Sequence, residues 1–152
     1  MRKICFMLAL VLLILSVSGC SESAEKEWDT TATYDNCILE LQNAVTKTNA
    51  DGESLLYVTA HYTNEQSEPL YAYSSFSVKA FQNDRALEDC SDINEGEKSL
   101  ITEVKNGNSV SVCYVFALTD DSPVEVLVCT PTAEEKILAK KSYLEDTASS
   151  EA

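Results

Sequence analysis

The side chains with the most chemistry to offer in this 152-residue chain are one histidine, six cysteines and a surplus of carboxylates, 25 acidic residues against 11 basic ones. His61 beside a serine or a cysteine would make half of a nucleophile–base pair. No Gly-x-Ser-x-Gly turn accompanies it, and its place on the polar side of an alternating stretch reads as a strand histidine. Carboxylates gather at Glu88-Asp89, at Asp92, Glu95 and Glu97, and at Asp120-Asp121. A calcium ion takes six to eight oxygens from a shaped loop. Asp92, Asn94 and Glu97 lack EF-hand spacing, so these acids read as solvated loops, and neither a metal nor a cofactor is expected. A glycosidase would need two of the carboxylates to face each other across a cleft. Tyr57, Tyr71 and Tyr73 are candidates for an interaction patch, since tyrosine offers a large contact area at small entropic cost.

The cysteines divide by position. Arg2 and Lys3 precede an uncharged run from Ile4 to Leu15, which passes through Ser16 to Val17-Ser18-Gly19-Cys20. That is the three-part order of a secretory leader, and the apolar run is shorter than the roughly 20 residues of a membrane-spanning helix. Val17 to Cys20 resembles the bacterial lipobox. The resemblance implies cleavage after Gly19 and a diacylglycerol on the Cys20 thiol, with palmitate-type chains holding the protein to the membrane. One acyl chain anchors only marginally, while two or three hold firmly. Cys5 leaves with the leader. Cys37, Cys90, Cys113 and Cys129 remain, an even number suited to two disulfides in an exported domain, with three possible pairings. No Cys-x-x-Cys supports a redox or zinc-ribbon reading.

Loss of Arg2 and Lys3 takes the formal charge from −14 to −16 on the 133 residues from Cys20 to Ala152. So acidic a surface repels nucleic acid and anionic lipid heads alike. The length suits one domain. The expected organisation is a lipoprotein signal peptide over 1–19, an acidic tether over 20–32 that contains Trp28, a β-sandwich domain over 33–144 and a polar tail over 145–152.

Short alternating segments bounded by turn residues carry the domain. Strands are expected over 35–43, 54–63, 73–82, 85–90, 99–104, 109–118 and 124–130, with 136–143 either strand or short helix. Asp51-Gly52 and Asn83-Asp84 are turn pairs. Strands at this spacing, without a long amphipathic helix, predict an all-β antiparallel sandwich. Residues 119–123 read as a hairpin loop. A hairpin symmetric about Asp121 sets Cys113 opposite Cys129, within disulfide reach, and leaves Cys37 to pair with Cys90 by elimination.

Three segments carry a family likeness. His61-Tyr62-Thr63-Asn64 matches an aromatic-Thr-Asn strand end. Phe76 to Asp84, followed by Ala86-Leu87-Glu88, resembles a recurrent VxAFQNGxxLE segment. Asn106 to Val112, with Tyr114, Phe116, Leu118, Thr119-Asp120 and Pro123 to Val126, resembles PGxSVxVxxxFxLxDxSxPVEV. Together they resemble the domain of unknown function 5067 family, small lipoproteins of Gram-positive bacteria, over roughly residues 35–129. The resemblance implies an immunoglobulin-like β-sandwich and brings no catalytic residue. Asp84 stands where the family has Gly, Lys105 where it has Pro, and the four cysteines are extra.

The expected function is that of a lipid-anchored, extracytoplasmic binding or interaction module rather than an enzyme. Its partner would be a protein, a peptide or an envelope component, and not nucleic acid. Two alternatives stand beside it. An envelope hydrolase would show a deep pocket joining His61 to carboxylates, and a purely structural or stress-related lipoprotein would show no ligand site.

Overall fold

The computed structural model describes residues 28–91 and 99–144. In chain order the strands are β1 (Thr31–Tyr34), β2 (Cys37–Thr48), β3 (Ser54–Asn64), β4 (Ser77–Gln82), β5 (Arg85–Ala86), β6 (Asn108–Ala117), β7 (Val124–Cys129) and β8 (Ile137–Tyr143), with a helical turn, α1 (Ala72–Ser75), ahead of β4. They form two four-stranded sheets, β1-β2-β3-β6 and β5-β4-β7-β8. Every strand pair is antiparallel. The molecule is the all-β sandwich that the alternating pattern predicts.

The turns follow from residues that tolerate a left-handed backbone. Asp35 and Asn36 have φ of 47° and 55°, and Asn83 and Asp84 have 48° and 61°. A two-residue hairpin twisted like its strands needs positive φ at both central positions, which Asn and Asp adopt most readily after Gly. The first pair joins β1 to β2, so the single strand expected over 35–43 is a hairpin's turn and second arm. The second pair joins β4 to β5 without the family's glycine.

Alternation then fills the core. Leu39, Leu56, Val58, Ala60, Tyr62, Val112, Tyr114 and Phe116 face inward from the first sheet, and Phe76, Ala80, Val124, Val126, Val128 and Ala139 from the second. The Tyr62 ring meets Phe76 edge-on, with centroids 6.4 Å apart. A register shift between Leu41 and Ala44 marks a bulge in β2. A bulge takes a carbonyl out of the ladder. Here the Gln42 carbonyl turns to the other sheet, where it accepts hydrogen bonds from the Lys141 ammonium and, at 3.1 Å, from the Tyr143 hydroxyl. Farther along the seam, the Lys140 N–H donates to the Asp29 carbonyl at 3.0 Å. Residues 29–32, assigned to the tether from sequence, therefore belong to the fold.

One expected connection is overturned. Strands β6 and β7 are not a hairpin: β6 pairs with β3, while β7 lies between β4 and β8. Residues 118–123 carry the chain from one sheet to the other. Alternation identifies a strand and its buried face, but the partner is chosen by what that face packs on. The inner residues of β6 and β7 face each other across the core.

Both expected cysteine pairings fail with that hairpin. Cys113 lies opposite Thr59, and Cys129 opposite Ser77, in different sheets. Cys37 lies opposite Asn64. Cys90 bonds alongside Val115, which is opposite Tyr57. Asn64 and Tyr57 are seven positions apart on β3, roughly 23 Å at strand rise. A disulfide needs Cα atoms within about 7 Å. Among the described residues no disulfide joins Cys37, Cys90, Cys113 or Cys129.

Three short segments also differ from expectation. The strand expected over 73–82 begins only at Ser77, because Ala72–Ser75 close a helical turn through the Phe76 N–H bond to the Ala72 carbonyl. The return over 85–90 is a strand only at Arg85–Ala86, after which residues 88–90 cross to the edge of β6. Residues 99–100 are helical, and Val104 forms a bridge with Leu70. The leader, Cys20, the tail over 145–152 and the loop acids Asp92, Glu95 and Glu97 lie outside the described residues.

Candidate functional site

Loops from both sheets meet at the end of the sandwich where the β1–β2 turn, the segment after β3, α1 and the segment after β7 come together. They enclose a cleft of about 480 Å³, lined by Tyr34, Asp35, Cys37, Glu68, Leu70, Ser75 and their neighbours. Tyr34 is shared with a second groove of about 470 Å³ that continues past Thr130, Thr132, Glu134 and Lys136.

The floor is a chain of polar side chains running out of the core. The Cys37 sulfur lies 3.4 Å from the Tyr62 hydroxyl, which lies 2.7 Å from the Ser75 hydroxyl. Ser75 donates to the Tyr71 carbonyl at 3.0 Å. With that carbonyl accepting from Ser75, the Tyr62 hydroxyl donates to Ser75, and the Cys37 thiol has two acceptors, the Tyr62 hydroxyl and, at 3.9 Å, the Asn64 amide oxygen. Burial and the Cys37 contact push the Tyr62 hydroxyl well above its ordinary pKa, and the Ser75 bond opposes them. The chain fixes a wall of hydrogen-bond donors and acceptors along the cleft.

Asn64 shapes the cleft from behind. It is fully buried. Its amide donates to the carbonyls of Glu68 (2.8 Å) and Val104 (2.7 Å), and its oxygen accepts from the Gln66 N–H at 2.8 Å. Gln66 in turn donates to the Asp35 carbonyl at 2.6 Å. The loop that presents Glu68 and Leu70 is thereby tied to both β3 and the β1–β2 turn. Gln82 does the same work at the opposite end. It donates to the carbonyls of Asp120 (3.0 Å) and Ser122 (2.8 Å), and accepts from the Thr119 N–H (2.9 Å) and hydroxyl (3.0 Å). These two amides are the physical content of the aromatic-Thr-Asn and AFQN segments.

The residues singled out from sequence separate. Tyr71 and Tyr73 stack with centroids 5.8 Å apart beside the cleft, and Tyr73 is 56% exposed. Tyr57 lies on the outer face of the first sheet, where the Lys47 ammonium sits 4.5 Å from its ring centre. The three tyrosines therefore do not form one patch. His61 is also on that outer face, in register between Glu40 and Ser111. It lines neither groove at the sandwich end. Asp120 is at the far end, its carboxyl held below the ordinary range by the Ser122 hydroxyl and N–H. Sequence reasoning missed the Cys37–Tyr62–Ser75 chain, because its members come from β2, β3 and α1 and share no local spacing. A depression of about 420 Å³ lies on the outer face of the second sheet, around Phe81, Pro123 and Leu127.

The model of the family described as "domain of unknown function (DUF5067)" matches residues 18–129. No curated protein matches the chain. Among solved structures, a predicted lipoprotein of Staphylococcus aureus superposes with a TM-score of 0.59 at 13% identity, over 75% of this chain and 87% of that one. A protein from Enterococcus faecalis, solved by NMR, gives 0.54 at 15%, over 78% and 92%. A predicted lipoprotein of Bacillus subtilis gives 0.50 at 15%, over 77% of this chain and 38% of that one. At these identities the likeness is one of fold.

Proposed function

The chain belongs to the DUF5067 family, and on that premise we propose that it is a lipid-anchored module on the outer side of the cell membrane whose end cleft binds a ligand with an apolar body and a cationic group. The observation that carries this reading is the cleft itself. Tyr34, Leu70 and Pro131 supply apolar wall, Asp35 and Glu68 supply negative charge, and the Cys37 and Ser75 side chains supply fixed polar atoms. Loop clusters at the end of a rigid sandwich are where such folds place recognition. The chain's acidity favours the same partner, because an envelope component or peptide bearing amines is drawn toward it. The leader, the lipobox likeness and the predicted lipoproteins among the structural neighbours support the location.

The test has two arms. Titration of the full chain with a short lysine- and leucine-containing peptide, followed by NMR, is expected to shift Tyr34, Glu68 and Leu70, and Glu68→Gln with Asp35→Asn is expected to weaken binding about tenfold. Shifts confined to the outer sheet faces, or none at millimolar peptide, would remove the cleft reading. Separately, Cys20→Ala is expected to release the protein into the medium or leave it unprocessed. Unchanged membrane association of that variant would remove the anchor.

A further inference from the structure

The outer face of the first sheet carries its own apolar cluster. Leu55, Cys90 and Val115 are buried in it, and Tyr57, Cys113 and Ala117 pack against them. Residues 88–90 run antiparallel along the edge of β6. The Cys90 N–H donates to the Val115 carbonyl at 2.8 Å, the Ala117 N–H donates to the Glu88 carbonyl at 3.0 Å, and Asp89 lies opposite Phe116. This register sets Cys90 opposite Val115. Side chains alternate across a strand, so Cys113 projects from the same face as Val115, one step further on. The two cysteines are thus diagonal neighbours across a strand pair.

Diagonal neighbours sit about 7–8 Å apart at Cα, with Cβ atoms somewhat closer. A disulfide needs roughly 4.4–6.8 Å. Closing that gap takes a movement of about 1 Å at Cys90, the last of the described residues to donate a backbone hydrogen bond to β6. The Val115 N–H donates to the Ser91 hydroxyl at 3.0 Å, so the backbone beyond Cys90 is held by a side chain and not by the ladder. We propose that Cys90 and Cys113 join in a disulfide that staples residues 88–90 to the edge of β6. The electron acceptor is a disulfide, whether of an exported thiol oxidase or of a small thiol.

The order of attack follows from the surroundings. Cys113 is half-buried, with Lys47 near enough to favour its thiolate. Cys90 is buried, and Glu88, Asp89 and Glu53 disfavour its thiolate. Cys113 therefore attacks first. Its sulfur bonds to one sulfur of the oxidant, whose other sulfur leaves as a thiol with the proton that Cys113 gave up. The Cys90 sulfur then displaces the second oxidant thiol, which takes the Cys90 proton. Two electrons pass to the oxidant, and the product is one protein disulfide and two thiols. Burial raises both thiols above their ordinary range, so the reaction speeds up as pH rises through neutrality.

The experiment incubates the full chain with oxidised glutathione, quenches with acid, alkylates, and maps the peptides without reduction. A Cys90–Cys113 cross-linked peptide is expected, and Tm is expected to fall by about 10 °C on reduction. Alkylation of both residues after incubation, a bridge from either to Cys37 or Cys129, or a Tm indifferent to reductant would overturn the proposal. Cys90→Ser is expected to retain glutathione on Cys113, and an absent adduct there would overturn the order of attack. The reading of this pair does not depend on what occupies the cleft.

Discussion

Asn64 and Gln82 are buried amides, each with its donors and acceptors satisfied by neighbouring loops. Removing such a group leaves its partners buried and unpaired, which costs more than the bonds contributed. Asn64→Ala is expected to destabilise the domain by about 2–4 kcal/mol, read from the urea midpoint, and to loosen the segment that presents Glu68. An equal loss for an exposed control such as Asn43→Ala would contradict this account. Acid response also belongs to single residues. Glu135 lies below its ordinary value of 4.5, first through the Lys79 hydrogen bond, with Ser77 adding a weaker one. A depressed carboxyl contributes stability above its unfolded pKa and loses it as pH falls through the folded one. Unfolding scans are therefore expected to show Tm falling below about pH 4.5, less steeply in Glu135→Gln. Parallel curves for the two proteins would refute the assignment.

Turns and bulges set the elements. Asp84 has φ of 61° with no glycine to relieve it. Asp84→Gly is expected to stabilise by about 0.5 kcal/mol and Asp84→Val to destabilise by about 1–2 kcal/mol, since a β-branched side chain is strained there. Asn83 tolerates its place better, because its amide also reaches Asp120 and Ser122. The β2 bulge presents the Gln42 carbonyl to two donors of β8, Lys141 and Tyr143. Either donor alone keeps that carbonyl satisfied, so the pair is redundant. The double variant Lys141→Met, Tyr143→Phe is expected to lose about 1 kcal/mol more than the two single variants together. Simple additivity would mean that the seam is held by packing alone.

At the scale of the molecule, the sandwich buries tyrosine hydroxyls, and burial opposes their ionisation. Tyr62, Tyr114 and Tyr143 are all raised, each first by burial. A raised group contributes stability below its unfolded pKa, ordinarily 10.0 for tyrosine, and loses it as pH rises toward the folded value. Alkaline titration followed by phenolate absorbance is expected to show these three ionising together with the loss of near-ultraviolet circular dichroism. Ionisation of all seven tyrosines before that transition would be inconsistent with the packing described. Among the described residues the Tyr114 hydroxyl is buried with no hydrogen-bond partner, so Tyr114→Phe is expected to be nearly neutral.

What the sequence determined by itself is local. Alternation marked out β3, β6 and β7, because side chains point to opposite sides at every step, and left residues 136–143 open between the strand that they form and a short helix. Asn83-Asp84 and Asp51-Gly52 announced their turns, because few residues accept positive φ. Partner choice was decided only in three dimensions. The run through Thr119–Pro123 reads as a hairpin loop, and only the core, which buries Phe116 and Val126 from different sheets, makes it a crossing. The cysteine positions and the end cleft depend on that choice, since they join residues from strands that share no spacing along the chain.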